Sequence, residues 1–103
     1  IIRSQIYNQS LNKAQNFIFA IEFGGVRKGD EYEMRIITPN KKILAQSKKR
    51  IGKEIQFKFD FVGRMGRGRT WPKGKYQGQF KLYRNESGKS RKILEFKRYI
   101  WVD

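Results

Sequence analysis

Apolar and polar residues alternate with a period of two along most of this chain, the spacing expected of β-strands. No segment keeps a helical period over ten or more residues. The predicted strands are residues 1–7, 17–23, 31–38, 43–47 and 55–61, and two more lie within 70–102. Short strands at near-regular spacing predict an all-β fold, a two-sheet antiparallel β-sandwich of about seven strands, with a small barrel as the alternative.

The segment from Thr70 to Val102 predicts one long β-hairpin with its turn centred on Ser87 and Gly88. One face then pairs apolar residues, namely Tyr76 with Ile100, Phe80 with Phe96, and Leu82 with Leu94. The exception sets Gly78 against Arg98, where the missing side chain leaves room for the arginine stem. The other face pairs Gln77 with Tyr99, Gln79 with Lys97, and Lys81 with Glu95. Opposite charges that face each other support this register.

The entry to the hairpin carries a family resemblance. Trp71-Pro72-Lys73-Gly74-Lys75-Tyr76 resembles the Pro-x-Gly-x-Tyr entry to a late strand in immunoglobulin-like and fibronectin type III-like sandwiches, many of them bacterial. The resemblance implies a corner in which Tyr76 hydrogen-bonds back to the preceding loop. It covers about fourteen residues and is specific to a superfold, which most often serves as an adhesion, adaptor or assembly module. The Cys-Trp-Cys pattern of true immunoglobulin domains is absent.

Length and composition predict one folded domain spanning residues 1–103. Eight Phe, five Tyr and two Trp supply enough apolar area for a core, although 32% of the residues are charged. The chain begins at Ile1 without a signal-like segment, so we expect it to be part of a longer protein. The longest apolar run, residues 17–21, is too short to span a membrane.

The residue types argue against catalysis. The chain has no histidine and no cysteine, which removes the commonest general base, the commonest nucleophile pairs and most transition-metal ligands. Asp30, Glu31 and Glu33 form the only acidic cluster, but they lack the loop spacing of a dedicated calcium site. The sequence therefore predicts a non-catalytic protein without a metal or another cofactor.

Positive charge is concentrated in the second part of the chain. The net charge is +1 over residues 1–40 and +14 over residues 41–103. Such asymmetry favours anionic partners without identifying one. An equally simple interpretation is that solvent-facing strand positions are lysine-rich.

Two surfaces are candidate binding sites. The first is an Arg-Gly segment whose Arg64, Arg67 and Arg69 can reach phosphates, sulfates or carboxylates, unless it is merely a hydrated loop between sheets. The second is the outward face of the hairpin, where cations and aromatic rings interleave in a pattern suited to stacking or to a protein interface. Its members are Lys81, Tyr83, Lys97, Tyr99 and Trp101.

These features lead to two functional hypotheses. The favoured one is an immunoglobulin-like adaptor, assembly or ligand-binding module of a larger bacterial envelope, periplasmic or secreted protein, with a protein or an anionic polymer as partner. The alternative is a basic nucleic-acid-binding β-domain, whose binding weakens steeply with salt.

Overall fold

The computed structural model describes residues 2–11, 14–67 and 70–102. All of the regular structure in these ranges is β-strand, and they contain no helix long and apolar enough to cross a membrane. The strands are β1 (Ile2–Leu11), β2 (Ala14–Val26), β3 (Glu31–Ile37), β4 (Ile43–Arg50), β5 (Ile55–Arg64), β6 (Gly74–Glu86) and β7 (Lys89–Val102).

The described strands form two antiparallel sheets. One has three strands in the order β1-β2-β5, and the other has four strands in the order β4-β3-β6-β7. Buried side chains from both sheets belong to one hydrophobic cluster, so the sheets lie face to face. The predicted all-β fold with two antiparallel sheets is confirmed.

The core is built from alternate residues of β2, β3 and β6. In β2 the fully buried face consists of Phe17, Phe19, Ile21 and Phe23, and β3 and β6 bury every second residue against it. The ring of Phe23 lies 5.1 Å from that of Tyr32 and 4.8 Å from that of Phe80, measured between centroids. Aromatic contacts across the interior therefore join the two sheets.

The hairpin follows the predicted register. Every predicted pair from Tyr76–Ile100 to Leu82–Leu94 is present. Ser87 and Gly88 form the turn with φ of 51° and 76°, the left-handed values that a tight two-residue hairpin turn requires. Beyond Leu82 the pairing shifts by one residue, so Tyr83 lies opposite Lys92. A turn centred on Ser87 and Gly88 would by itself place Leu82 opposite Ile93. The extra residue of the bulge places Leu82 opposite Leu94, as the predicted register requires.

The predicted hydrogen bond from Tyr76 back to the preceding loop is present, and we call this contact the tyrosine corner. The Tyr76 hydroxyl donates a hydrogen bond of 2.7 Å to the Pro72 carbonyl oxygen. The ring of Tyr76 stacks on Phe17 at 4.3 Å, and the ring of Trp71 meets Phe17 edge-on at 5.5 Å. The hairpin entry is thus fixed to the central strand of the opposite sheet.

Three predicted boundaries were wrong. Of the segment 8–16, expected to connect strands, residues 8–11 belong to β1 and residues 14–16 belong to β2. Lys48, Lys49 and Arg50, which follow the predicted strand 43–47, continue β4. The predicted strand 55–61 is longer in the structure, because β5 runs to Arg64. In each case pairing with a neighbouring strand extends the element through polar residues that have little strand preference of their own.

The phenylalanine-rich strand β5 turns its aromatic side outward. Its buried positions include Asp60 and Val62, whereas Phe57, Phe59 and Phe61 are 59%, 63% and 58% exposed. We call these three rings the phenylalanine stripe. The strongest apolar alternation in the sequence therefore covers the outside of the three-stranded sheet and leaves an aspartate facing the core.

Candidate binding surface

The hairpin places the five predicted residues on one outer face of the four-stranded sheet. Side chains alternate across a strand, so Lys81 and Tyr83 on β6 share the outer side with Lys97, Tyr99 and Trp101 on β7. Tyr99 is 48% exposed and Trp101 is 67% exposed. The predicted grouping is present, and binding by these residues stays a prediction.

Lys75 belongs to the same surface, although the sequence analysis did not select it. Its Nζ lies 4.6 Å from the centroid of the Tyr99 ring and 5.9 Å from that of Trp101. At these distances the ammonium group is attracted to both rings. The signal was available, because the predicted register sets Lys75 directly opposite Trp101. We call Lys75, Lys81, Tyr83, Lys97, Tyr99 and Trp101 the hairpin face.

One carboxylate organises the lysines in the middle of this surface. Glu95 Oε2 lies 2.9 Å from Lys92 Nζ and 4.0 Å from Lys81 Nζ, and Oε1 lies 3.9 Å from Lys97 Nζ. The hydrogen bond from Lys92 and the charges of the other lysines lower the pKa of Glu95. Because three ammonium groups share one carboxylate, this part of the surface keeps a net positive charge at neutral pH.

Arg64 of the Arg-Gly segment does not join the hairpin face. Arg64 ends β5 and donates from Nη1 to the Leu44 carbonyl oxygen at 3.4 Å. Leu44 belongs to β4, which is the edge of the four-stranded sheet opposite to β7. Arg67 is exposed with φ of 52°, and Arg69 lies outside the described residues. Arg64 therefore lies at a different sheet edge from the predicted residues of the hairpin face.

The acidic cluster at the start of β3 has a structural role at its first residue. Asp30 is 1% exposed, and its carboxylate accepts hydrogen bonds from Arg84 Nε at 3.0 Å and Nη2 at 2.9 Å. It also accepts one from the Arg27 amide at 2.9 Å. Burial alone would raise the pKa of Asp30, but these donors hold it below its usual value. The described part of the chain holds no group of three carboxylates placed to bind a metal ion.

A second buried carboxylate links the two sheets. The Tyr32 hydroxyl of β3 donates to Asp60 Oδ2 at 2.5 Å, and Lys49 Nζ of β4 lies 2.9 Å from the same oxygen. Burial favours the neutral form of Asp60, but these donors and the Phe61 amide outweigh it and lower the pKa of the carboxyl. Burial and the same hydrogen bond raise the pKa of Tyr32.

This network predicts acid sensitivity. A carboxylate with a lowered pKa in the folded state stabilises the fold above its unfolded pKa of about 3.9, and this contribution is lost as the pH falls through the folded value. Urea unfolding at pH 7 and pH 3 is expected to show a smaller loss of stability in Asp60→Asn than in the unchanged protein. The exposed Glu54→Gln serves as control. Equal losses in Asp60→Asn and the unchanged protein would exclude Asp60 as a source of the acid sensitivity.

Comparison of the chain with protein-family models and with curated proteins finds no match.

Proposed function

We propose that this chain is a non-catalytic, immunoglobulin-like adaptor domain that holds an anionic polymer, such as a sulfated or carboxylated polysaccharide, on the hairpin face. The observation that carries the proposal is the placement of Lys75 over two exposed rings, Tyr99 and Trp101. Aromatic rings stack on sugars or bases, and the neighbouring lysines attract the anionic groups of the same polymer.

The strand order supports the superfold part of this proposal. If β1 to β7 are lettered A, B, C, C′, E, F and G, the sheets read A-B-E and C′-C-F-G. This order is similar to that of fibronectin type III-like sandwiches. The tyrosine corner lies at the start of strand F, where such domains carry it. A superfold does not determine a ligand, so the ligand is argued from the hairpin face alone.

A titration with a fluorescein-labelled sulfated oligosaccharide tests the ligand. Tyr99→Ala combined with Trp101→Ala is expected to weaken binding at least about tenfold, because stacking on one ring contributes about 1–3 kcal/mol in comparable surfaces. Phe59→Ala combined with Phe61→Ala also removes two exposed rings, but from the opposite sheet, and is expected to change the affinity less than about twofold. Equal weakening by both double variants would contradict the assignment of the hairpin face.

The charge contribution needs its own pair of variants. Lys75→Ala and Lys53→Ala each remove one exposed cation, but only Lys75 lies over the rings of the hairpin face. We expect Lys75→Ala to weaken binding by more than Lys53→Ala at about 50 mM salt. The difference is expected to shrink at about 200 mM, because salt screens exposed charges. Identical effects would mean that only the overall charge of the protein matters.

Single-stranded nucleic acid is the second candidate ligand, favoured by two exposed rings two residues apart on one strand. Bases stack on such rings with little sequence preference. A labelled oligonucleotide whose binding survives about 200 mM salt and a polysaccharide competitor would replace the polysaccharide assignment. Loss of binding under both conditions would retain it, since non-specific binding of phosphates falls steeply with salt.

A further inference from the structure

The phenylalanine stripe is an apolar surface that the hairpin face does not explain. Its three rings are each more than half exposed, and the centroids of Phe59 and Phe61 are 6.4 Å apart. Met65, 63% exposed, continues the stripe beyond the end of β5. A shallow depression of about 190 Å³ adjoins it and is lined by Asn16, Ile18, Phe61, Gly63, Arg64 and Met65.

The area of this patch is large enough for an interaction site. The rings project from the outer side of the three-stranded sheet, opposite to the core. Each exposes roughly 100 Å², given that a fully buried aromatic side chain hides about 150–250 Å². With Met65 the patch approaches roughly 400 Å², which is within the range of about 300–600 Å² for the largest apolar patch on a monomer, and such patches are often functional.

The charges around the patch indicate what covers it. Arg64 and Arg67 follow the stripe along the chain, and neither forms an ion pair with another described residue. The whole chain carries a net charge of +15. An acidic partner is attracted by this field, whereas a second copy of the same chain is repelled.

The area of the patch argues against a second copy of this chain as its occupant. The patch is about half of the roughly 800 Å² per partner that a standard stable interface buries, which disfavours a dimer formed on it alone. Glu22 lies directly opposite Phe59 in the β2–β5 pairing and is only half-buried, so the positive charge available to an acidic segment lies at the Arg64 end of the stripe.

We infer that the phenylalanine stripe docks an acidic, amphipathic, extended peptide segment of another protein. Alternate residues of an extended segment repeat about every 6.6 Å, which matches the 6.4 Å between the Phe59 and Phe61 rings. Apolar side chains of the segment pack on the rings, and its carboxylates meet Arg64 and Arg67. The stripe and the hairpin face lie on different sheets, so a failure of one assignment leaves the other standing.

Two synthetic peptides test this inference. One alternates leucine or valine with glutamate, and the other replaces each glutamate by lysine. The acidic peptide is expected to bind the full chain, and its Kd is expected to rise at least about tenfold in the triple variant Phe57→Ser, Phe59→Ser, Phe61→Ser. Tyr99→Ser with Trp101→Ser is expected to leave the Kd within about twofold, and the lysine peptide is expected to bind at least about tenfold more weakly.

The remaining outcomes each overturn the inference. If the acidic peptide binds the triple variant as tightly as the unchanged chain, the stripe is not the docking site. If both peptides bind the unchanged chain equally, the partner need not be acidic. Sedimentation velocity that shows a dimer lost in the triple variant identifies a second copy instead. Stripe-dependent binding to vesicles of phosphatidylcholine and phosphatidylserine, without peptide binding, identifies a membrane. If the triple variant does not fold, Phe59→Ser alone gives the same comparison, with an expected weakening of about threefold or more.

Discussion

Replacing Asp30 with alanine is expected to lower the free energy of unfolding by about 3–5 kcal/mol, the usual result of removing one partner of a buried ion pair. The carboxylate is 1% exposed and receives both Nε and Nη2 of Arg84. Without it the Arg84 guanidinium stays largely buried with no counter-charge, and the Arg27 amide loses its acceptor. Chemical denaturation at pH 7 measures the change.

Two further variants separate the buried charge from the lost contact. Combining Asp30→Ala with Arg84→Met removes the stranded charge, so the double variant is expected to be more stable than Asp30→Ala alone. Glu86→Ala breaks the exposed pair with Arg91, whose atoms are 3.1 Å apart, and is expected to cost less than about 1 kcal/mol. A cost for Asp30→Ala no larger than that for Glu86→Ala would contradict the structural role of the pair.

Gly78→Ala is expected to destabilise the fold by about 1–3 kcal/mol, because the two sheets leave no room for a methyl group there. A Cβ at residue 78 would lie 2.6 Å from Cδ1 and 2.7 Å from Cγ of Phe19. The Phe19 ring is fully buried and belongs to the opposite sheet, so it has no free space into which to move. Thermal unfolding followed by near-ultraviolet circular dichroism measures the loss.

The matched control is Gly52→Ala, where an added Cβ meets no atom within 4 Å. This change is expected to alter stability by less than about 1 kcal/mol in either direction. Phe19→Leu opens space at residue 78, so adding Gly78→Ala to Phe19→Leu is expected to cost less than Gly78→Ala alone. The steric explanation would be rejected if the two glycine substitutions had the same effect.

The hairpin was predictable because several independent signals agree on it. Its register matches apolar pairs on one face and opposite charges such as Lys81 and Glu95 on the other, and its turn carries Gly88 where a left-handed residue is needed. The Tyr76 corner followed from a short motif that fixes both the turn and the hydrogen bond. The role of Gly78 was only partly anticipated, since its small size makes room for Phe19 rather than for Arg98.

The orientation of β5 was not predictable from alternation. A period of two shows that residues share a face, but it does not show which face is buried. Apolarity favours the side of Phe57, Phe59 and Phe61, yet Asp60 faces the interior because Tyr32 and Lys49 supply hydrogen-bond donors to it. Those donors come from other strands, so the sequence near residue 60 holds no sign of them.

The candidate surface was only partly predictable for a related reason. Side chains alternate between the two faces of each strand, and this alternation in β6 and β7 groups the five predicted residues on the hairpin face. The same alternation also places Lys75 there. Arg64 belongs to a different sheet edge, and only the strand order reveals that separation. Spacing along one element is local information, whereas the position of one sheet edge relative to another depends on the whole topology.

The central claim is that the hairpin face, and not the positive charge in general, binds the ligand. The most direct measurement is a titration of ¹⁵N-labelled protein with a sulfated oligosaccharide, followed by amide chemical shifts. The account predicts that the largest changes fall within residues 75–83 and 95–101, together with the indole signal of Trp101. Changes centred on residues 55–67, or spread evenly over the lysine-rich strands, would contradict it.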